Sequence, residues 1–450
     1  MPRILLLATT TGYQTRAFGE AAERVGADLV FATDRCHVLD DPWRDEAIPV
    51  RFYDEAASVA AILEADRVRS IDGVVVVGDR PTVIGAQVMQ ALGLPGHPPE
   101  AARVSQNKQL TRERLRDAGL PVPWFVAASV DADAAALAAS IAFPCVVKPL
   151  ALSGSRGVIR ADDAASFAAA FDRLRALLQS PDVRAERSDA HDAALIEGFI
   201  PGREYALEGL MHHGDLQVLA LFDKPEPLDG PFFEETIYVT PSWAPASEQA
   251  AIVEGVRRAA AAIGLRHGAI HAECRVNDAG VFVLEVAARP IGGLCARALR
   301  FEKRGRESFR ADPLPVPPAA LLAQIDASAV EKRGRESLED LLLRHALGES
   351  TTGWQREPDA SGVMMIPIPQ RGVFRGVAGL EDARAEAGVD DIRITAKADQ
   401  RLVPLPEGAS YLGFIFARGD TPIAVTHALH AAHSRLRFRV DAELPVVLTH

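Results

Sequence analysis

The chain has 450 residues, of which 48% are hydrophobic and 24% charged, so it can form about three globular domains and does not have a disordered composition. Its formal net charge of −12 argues against nucleic acid as a main partner, because phosphate backbones are bound by basic surfaces. The apolar run at residues 4–8 is too short for a signal or membrane segment, which predicts a cytoplasmic protein with no membrane partner. Four cysteines without Cys-x-x-Cys or zinc spacing predict buried, reduced thiols.

Residues 1–100 alternate short apolar strands with helical patterns such as Thr15–Val25, which predicts a small doubly wound α/β unit. The strands are predicted at Arg3–Ala8, Asp28–Ala32 and Gly73–Val77. Ligands of such sheets bind at the carboxyl ends of the strands, but no Gly-x-Gly-x-x-Gly follows the first strand, so a dinucleotide site is not expected. Gly78-Asp79-Arg80 either contacts a substrate or forms a plain turn, and the turn is favoured.

The next segment carries cationic residues beside a Gly/Ser loop. Lys108 and Arg112 share one helical face, for which a solvated basic surface is the default interpretation. Lys148 ends an apolar strand and is followed by Leu152-Ser-Gly-Ser-Arg-Gly-Val158 before a second strand. Backbone amides of such a loop can cradle phosphate oxygens within reach of the lysine, although a purely structural hairpin is the alternative. The spacing is not that of a Walker loop.

An apolar edge, a Pro-Gly turn and a strand follow over residues 195–208, with Glu204 and Glu208 on one strand face. Glu204 could accept hydrogen bonds from ribose hydroxyls, and the backbone near Phe199 could read an adenine edge. Lys224 then begins a Pro/Gly-rich loop that runs through residues 232–235. We expect this loop to close over a substrate and exclude water.

Residues 271–293 predict a β-hairpin that places two acids opposite each other. A three-residue loop, Asp278 to Gly280, would pair Asn277 with Val281, Arg275 with Val283 and Glu273 with Glu285. Two carboxylates in that position repel unless a cation lies between them, and Mg²⁺ takes oxygen ligands of this kind. The alternative is a solvent-facing hairpin whose acids pair with Arg275 and Arg289.

A repeated segment follows the hairpin. Glu302-Lys-Arg-Gly-Arg-Glu-Ser308 recurs unchanged at residues 331–337, an offset of 29 residues (331 minus 302), and four prolines lie between the copies. We predict a surface excursion with weak order over residues 309–330. Its basic heptads form either a partner-binding segment or, preferably, a solvated linker.

The last unit is predicted to be rich in β-strands and to pack over the core. Its elements are strands at 363–368, 372–377, 392–396 and 411–417, a helix at Thr421–Leu436 and a strand at Arg437–Val440. His427, His430 and His433 fall at helical spacing, but successive threes drift around a helix and no acid completes a set, so a metal role is not favoured.

In motif order over residues 1–300, this succession resembles the ATP-grasp ligases. The residues that carry the resemblance are Lys108, Lys148 with its Gly/Ser loop, Glu197 to Glu204, Glu273, and Glu285 to Arg289. The run Glu285–Gly293, with residues 363–369 and 405–414, is similar to the L-amino acid ligase branch. The resemblance implies an α/β and α+β chain with the ATP-grasp fold. Its parts would be a Rossmann-like pre-ATP-grasp domain at 1–100, an ATP-grasp domain of two subdomains at 101–300 with nucleotide between them, an inserted linker at 301–336, and a helix plus β-rich domain at 337–450.

The resemblance also implies residue roles. Lys108 and Lys148 would contact ATP phosphates, Lys224 would also bind the nucleotide, and Ser153, Gly154, Ser155 and Gly157 would cover the phosphates as a lid. The peptide Glu197-Gly198-Phe199-Ile200 would hold adenine and Glu204 the ribose. Mg²⁺, or Mn²⁺ as an alternative, would be held by Glu273 and Glu285. Arg289 and Lys148 would be catalytic, with Glu235, Gly292, Gly293 and Arg297 on the substrate side. Arg297 has a structural role as an equal alternative.

The implied reaction is ATP-dependent ligation of a small-molecule carboxylate, an amino acid by resemblance, to an amine. Phosphoryl transfer to the carboxylate gives an acyl phosphate that the amine attacks, releasing ADP and phosphate, and this step needs mainly positioning and charge neutralisation. Ala287 stands where many ATP-grasp enzymes have an asparagine metal ligand, so one firmly held ion is expected. The alternative is an ATP-binding protein that has lost catalysis. A homodimer is the default oligomeric expectation.

Overall fold

The computed structural model describes residues 1–9, 14–34, 47–303 and 335–442. Cys36 and the predicted excursion at 309–330 lie outside the described residues. The other three cysteines, Cys145, Cys274 and Cys295, are buried free thiols, as predicted. Within the described ranges, no helix is both long and apolar enough to cross a membrane.

The amino-terminal part contains a four-stranded parallel sheet with helices packed against it. Its elements are β1 (Arg3–Ala8), α1 (Thr15–Val25), β2 (Asp28–Thr33), β3 (Ile48–Pro49), α2 (Glu55–Val68), β4 (Gly73–Val77) and α3 (Thr82–Leu92), with strand order β3-β2-β1-β4. The Ile-Leu-Leu-Leu-Ala run of β1 and the four valines of β4 are buried, as expected for strands covered on both faces. The predicted doubly wound unit is therefore present. The helices α4 (Pro99–Gln106) and α5 (Lys108–Asp117) lead out of it, and Asn107 caps α5 by accepting from the N–H groups of Gln109 and Leu110.

A smaller antiparallel sheet follows, in the order β5-β8-β6-β7. Its elements are β5 (Phe125–Ser129), α6 (Ala134–Ala138), β6 (Cys145–Pro149), β7 (Ile159–Ala161), α7 (Ala164–Leu178), α8 (Pro181–Arg184) and β8 (Ala193–Gly198). The apolar face of α7 covers this sheet through Phe167, Phe171 and Leu174. The Gly/Ser loop is the connection between β6 and β7.

An eight-stranded sheet forms the centre of the molecule, in the order β13-β12-β9-β10-β11-β16-β20-β18. Its first members are β9 (Arg203–His212), β10 (Asp215–Asp223), β11 (Ile237–Thr240), β12 (Gly268–Asn277) and β13 (Gly280–Ala287), with α9 (Ala246–Ile263) packed against it. The strands β16 (Ala360–Ile366), β18 (Val389–Ile394) and β20 (Gly413–Gly419) extend the same sheet. The carboxyl-terminal strands are thus hydrogen-bonded into the sheet that carries the hairpin acids.

The remaining elements frame this sheet. They are β14 (Phe301–Lys303), α10 (Leu338–Ala346), β15 (Trp354–Arg356), β17 (Gly372–Ala378), α11 (Leu380–Arg384), β19 (Arg401–Leu402), α12 (Pro422–Arg435) and β21 (Arg437–Asp441). Phe301 and Glu336 exchange backbone hydrogen bonds of 2.8 and 2.9 Å, so the two ends of the repeated segment lie side by side. Ser337 and Asp340 form a capping box that begins α10.

Candidate active site

The hairpin pairs its two acids as predicted, but the residues between them and the turn pair differently. Glu273 pairs with Glu285, whereas Asn277 pairs with Gly280 and Arg275 with Phe282. The predicted pairings near the turn were wrong, because the loop has two residues and the extra residue is Leu284, which forms a β-bulge in β13.

Arg112 explains where the bulge forms. Its side chain is fully buried, and Nη1 donates to the carbonyl oxygens of Leu284 at 2.9 Å and Val283 at 3.3 Å. The default expectation of a solvated basic face at Lys108 and Arg112 was therefore wrong for Arg112. A buried arginine needs acceptors, and a bulged strand presents carbonyls that a regular ladder would use.

Arg112 also belongs to a buried charge cluster with Glu197 and Lys148, which we call the β8 cluster. Arg112 donates to both oxygens of Glu197, at 2.8 and 3.2 Å, and the Lys148 ammonium donates to Oε1. Burial opposes ionisation of Glu197, but the charges of Arg112 and Lys148 outweigh it and lower the pKa of Glu197 to about 2. Burial and the Arg112 charge lower the pKa of Lys148 to about 8, although Glu197 opposes this shift.

Lys108 lies between this cluster and the hairpin. Its Nζ donates to the carbonyl of Leu152 at 2.8 Å and is 3.6 Å from Oε2 of Glu285. The Gly/Ser loop from Ser153 to Gly157 turns through left-handed conformations at Gly154, Ser155 and Gly157. The N–H of Gly157 donates to the carbonyl of Pro406 at 2.7 Å, and the Arg156 guanidinium donates to that of Glu407. The loop predicted to cover the phosphates is therefore held by residues near the carboxyl terminus.

A second charge cluster surrounds Lys224 at the end of β10. We call it the β9 cluster, because its central carboxylate is Glu204 of β9. The Lys224 ammonium donates to Glu204 at 2.7 Å, Glu235 at 3.0 Å and Glu273 at 3.1 Å. Burial opposes the charge of Lys224, but the three carboxylates raise its pKa well above the usual value. Burial raises the pKa of Glu235 to about 7, and the charge of Glu273 adds to this shift.

Arg275 completes the β9 cluster by donating from Nε to Glu204 at 2.8 Å. Both oxygens of Glu204 thus have protein donors, and the carboxyl group is buried. The alternative in which Arg275 and Arg289 neutralise the hairpin acids was wrong. Arg275 pairs with Glu204, and Arg289 pairs with Asp79.

Gly78-Asp79-Arg80 forms the favoured turn, in which the Thr82 N–H donates to the Asp79 carbonyl at 3.1 Å, but the Asp79 side chain also pairs with Arg289. Arg289 donates from Nε and Nη2 to the two Asp79 oxygens at 2.8 and 3.0 Å, and from Nη1 to the Pro290 carbonyl. Burial raises the pKa of Asp79, but Arg289 and Lys108 outweigh it and give a net lowering. The carboxyl end of β4 therefore joins the site through an ion pair.

Glu208 and His271 fix the backbone next to Arg289. Glu208 is fully buried and accepts from the N–H of Ile291 at 3.1 Å and from His271 Nδ1 at 3.0 Å. Burial lowers the pKa of His271, but the bonds to Glu208 and Glu273 outweigh it and raise it to about 9. The imidazolium thus lies beside Glu273, across the hairpin from the buried Ala287.

The peptide predicted to hold adenine lies against aromatic side chains. Phe199 and Phe233 stack with centroids 6.3 Å apart, and the Arg160 guanidinium lies 4.2 Å above the Phe199 ring. The N–H groups of Gly198 and Phe199 donate to the carbonyls of Trp124 and Pro144, and the Ile200 carbonyl accepts from Arg275. The aromatic rings and the guanidinium groups beside them are flat surfaces on which a heterocycle can stack.

The predicted substrate-side residues after Arg289 are two glycines and Arg297. Gly292 is exposed, and Gly293 has a φ of 61° with its Cα packed near Phe414. Arg297 has a carboxylate partner outside the two charge clusters. It pairs with Asp391 at 3.0 Å and lies 5.2 Å above the ring of Phe416, so the structure gives it a structural partner.

Several residues of the site were not found from sequence. Asp79, Arg112, Arg275, His271 and Tyr238 all contact predicted site residues, and Tyr238 donates to Glu235 at 2.6 Å and Glu273 at 3.1 Å. Their one local signal is strand alternation, which places His271, Glu273 and Arg275 on the same face of β12.

The donor set fits a nucleotide with a hard divalent cation. Glu273 is ionised, since Lys224 and His271 outweigh burial and hold its pKa well below the usual range. The side chains of Glu273 and Glu285 remain 20% and 25% exposed, so their oxygens can take a further ligand. Carboxylate oxygens suit Mg²⁺, and lysines suit phosphates.

Three family models match the chain. An ATP-grasp N-terminal domain matches residues 19–96, an ATP-grasp domain matches 141–298, and an L-amino acid ligase C-terminal domain 2 matches 364–441. The crystal structure of an L-amino acid ligase from Bacillus licheniformis superposes with a TM-score of 0.75 at 24% identity, covering 98% of this chain and 99% of that one. The predicted ATP-grasp fold is confirmed.

Curated relatives match over different lengths. An uncharacterised protein of Sinorhizobium fredii is 25% identical over 93% of this chain and 79% of its own length. Carnosine synthase 1 of Gallus gallus is 32% identical over 52% of this chain, and alanine–anticapsin ligase of Bacillus subtilis is 28% identical over 46%. The match spans 26% of that synthase and 46% of that ligase.

Proposed function

Because models of two ATP-grasp domains and of an L-amino acid ligase C-terminal domain match the chain, we propose that it joins a small-molecule carboxylate to an amine, with conversion of ATP to ADP and phosphate. The observation that carries this proposal is the contact of Lys108 with both the Gly/Ser loop and Glu285. It places phosphate-binding groups directly beside paired carboxylates. Charge neutralisation of this kind is what phosphoryl transfer requires from a protein.

In the proposed complex, Lys108 and Lys148 bind phosphate oxygens of ATP and the Gly/Ser loop covers them. Glu197 holds the Lys148 ammonium, because the hydrogen bond between them fixes the side chain within the buried cluster. Glu273 and Glu285 would hold Mg²⁺, which would neutralise phosphate charge during transfer. Lys224 positions Glu273 and Glu204 and keeps the three neighbouring carboxylates compatible with burial.

Arg289 serves the second half of the reaction. A guanidinium has five N–H donors. Three of its donor bonds go to Asp79 and the Pro290 carbonyl, and these fix its plane. The remaining hydrogens can stabilise the oxyanion that forms when the amine attacks the acyl phosphate. Exclusion of water protects that intermediate, and the ties between the Gly/Ser loop and residues 406–407 keep the site closed.

The proposed carboxylate substrate is an amino acid. Relatives named L-amino acid ligase and alanine–anticapsin ligase support this class, as does the carboxyl-terminal domain match. Glu235, Gly292 and Gly293 are assigned to the substrate side, and Glu235 shares the Lys224 ammonium with Glu273. The Arg297 guanidinium already pairs with Asp391, so no clamp role is assigned to it.

The test is a screen of amino acid pairs with purified protein, ATP and Mg²⁺. We expect ADP and phosphate to form only with suitable pairs, together with a ligated product of the summed mass less water. Formation of AMP and pyrophosphate would exclude the acyl-phosphate route. Tight ATP binding without turnover across a broad panel would favour a binding protein that has lost catalysis.

A further inference from the structure

Histidines from four distant segments meet on one side of the central sheet, and none of them belongs to the motifs assigned to the proposed active site. His97 precedes α4, His212 ends β9, His267 precedes β12 and His345 lies in α10. The rings of His267 and His345 stack with centroids 4.2 Å apart, and that of His212 lies 5.2 and 5.7 Å from them. His213, in the turn after β9, lies 4.9 Å from His267.

Two of these imidazoles are buried with unpaired nitrogens. His267 and His345 are 5% and 4% exposed. Among the described residues, neither ring nitrogen of His267 has a partner with full hydrogen-bond geometry, although the His345 backbone lies close to the ring, and Nε2 of His345 has no partner. Buried polar groups in native proteins are nearly always paired, so several unpaired nitrogens in one place indicate a missing ligand.

His97 provides an internal comparison. It is equally buried, but its Nδ1 accepts from the N–H of Arg266 at 3.1 Å and its Nε2 lies 3.2 Å from the carbonyl of Ala269. Gly268 makes room for the ring, since a Cβ there would lie 3.1 Å from His97 Nε2. His97 is thus a fully paired neighbour that holds the backbone on both sides of His267, and not a ligand.

The arrangement of the three rings suits one shared ion. A neutral imidazole has one nitrogen lone pair free for a metal ion. One nitrogen from each of His212, His267 and His345 lies within 4.8 Å of the other two. Tetrahedral coordination at about 2.1 Å places nitrogens about 3.4 Å apart, so modest side-chain rotation closes the set.

We propose that His212, His267 and His345 bind one divalent transition-metal ion of the class that prefers imidazole, represented by Zn²⁺. His212 is exposed, which gives the ion a path from solvent and leaves the fourth position to water. Three imidazoles suit Zn²⁺, Co²⁺, Ni²⁺ or Cu²⁺, whereas the carboxylates of the ligase site suit Mg²⁺. The two sites therefore take different metals.

The ion would act as a structural cross-link. His345 belongs to α10, whose Ala346 backbone packs directly against Gly73 of β4, and whose Asp340 pairs with Arg24 of α1. His212 and His267 belong to the central sheet and the segment leading into it. One ion would thus fasten α10, and with it the amino-terminal sheet, to β9 and to the start of β12, the strand that carries Glu273.

The test uses full-length protein without a polyhistidine tag, stripped of metal with a chelator and desalted. We expect one Zn²⁺ per chain by calorimetry and elemental analysis, and visible absorption typical of tetrahedral Co²⁺ when Co²⁺ is used. Millimolar Mg²⁺ should not compete. His345→Gln and, separately, His212→Ala should each weaken Zn²⁺ binding by at least about tenfold and abolish the Co²⁺ bands.

The matched control is His430→Ala, which removes a half-exposed histidine of α12 outside the cluster and should leave both measurements unchanged. Zn²⁺ should raise the melting temperature of the wild type and of His430→Ala, but not of His212→Ala. Since His212 is exposed, that variant should fold even if His345→Gln does not. Equal Zn²⁺ binding by the wild type and His212→Ala, or no stoichiometric binding by the wild type, would overturn the proposal. Ligase activity is not measured, so this outcome is independent of the proposed reaction.

Discussion

Two buried charge clusters border the proposed nucleotide site, and they are built to one plan. In each, both oxygens of a buried glutamate accept hydrogen bonds from one lysine and one arginine. In the β8 cluster the glutamate is Glu197, with Lys148 and Arg112; in the β9 cluster it is Glu204, with Lys224 and Arg275. They differ in net charge, because Glu235 and Glu273 join only the second cluster.

This difference in net charge gives the two clusters different roles in the proposed site. Two cations and a single carboxylate leave the β8 cluster positive, whereas two cations and three carboxylates leave the β9 cluster negative when all are ionised. A positive cluster attracts phosphate oxygens, and a negative one attracts a divalent cation. The same arrangement of side chains therefore supplies both halves of a metal–nucleotide site.

The largest expected effect follows from unpairing the β8 cluster. Arg112→Met should destabilise the folded protein by about 3–5 kcal/mol, because Glu197 loses its bidentate partner in a buried position. Urea unfolding measures this. Arg203→Ala, which removes a half-exposed partner of Glu248, should cost less than about 1 kcal/mol. Equal losses for the two variants would show that burial of the cluster does not matter.

Removing the negative charge of either hairpin acid should reduce catalysis. Glu273→Gln and Glu285→Gln should each lower kcat/KM for ADP release by about 100- to 1000-fold, since a cation ligand is lost where charge develops. Glu381→Gln, with a side chain 91% exposed, is the control and should be silent. Wild-type turnover in both hairpin variants would remove the metal role of the pair, and with it the proposed mechanism.

The positive cluster should be sensitive to pH. The pKa of Lys148 is lowered to about 8, mainly by burial, so the ammonium loses its proton above that pH. We expect KM for ATP to rise about tenfold for each pH unit above 8. The unfolded chain binds this proton up to about pH 10.5, so the lowered pKa costs stability below pH 8, and this cost falls as the pH rises from 8 to 10.5. Loss of ATP affinity in that range is therefore not unfolding caused by Lys148.

Lys148→Arg is the matched variant for this pH dependence, because a guanidinium stays protonated throughout the range. Its KM for ATP should be flat between pH 7 and 9. A slope equal to that of the wild type would assign the titration to another group.

The smallest effect is expected where neither cluster is touched. Removing residues 302–330 restores Phe-Glu-Lys at β14, since Glu331-Lys332 would then follow Phe301. The ends already meet at Phe301 and Glu336. Melting temperature should hardly change, and kcat/KM should stay within about twofold. A larger loss would give the segment a role in the site.

Local features of the fold could be predicted from the sequence. β1, β4 and α1 match their predicted bounds residue for residue. The signals that define them are all local: continuous apolar runs for the strands, and helical periodicity followed by a glycine for α1. The opposition of Glu273 and Glu285 also follows from counting along one hairpin. The order of the motifs also indicated a resemblance to the ATP-grasp ligases, and the fold that this resemblance implied is confirmed.

Contacts between distant segments could not be predicted in this way. Helical spacing placed Lys108 and Arg112 together but could not show that Glu197, 85 residues away, would face Arg112. The partner of Arg289 lies 210 residues away in sequence, so Asp79 looked like part of a turn. The histidine cluster spans residues 97–345 and has no local spacing at all. Such partners depend on how three sheets pack.

The bulge at Leu284 affects two properties of the hairpin. It sets the face to which Glu285 points, and it provides a carbonyl that accepts from Arg112. A two-residue turn leaves one residue too many between Gly280 and Glu285, and without the bulge Glu285 would fall opposite Ala272 and point to the other face. Deleting Leu284 would bring Glu285 into phase with Glu273 in a regular ladder, but would remove the carbonyl that Arg112 holds at 2.9 Å. The extra residue thus keeps the acids aligned while linking them to the cluster around Lys148. The deletion removes the Arg112 contact and keeps the two acids opposed, whereas Glu285→Gln removes one of the acids. Comparing their ATP affinities would show which of the two contributes more to binding.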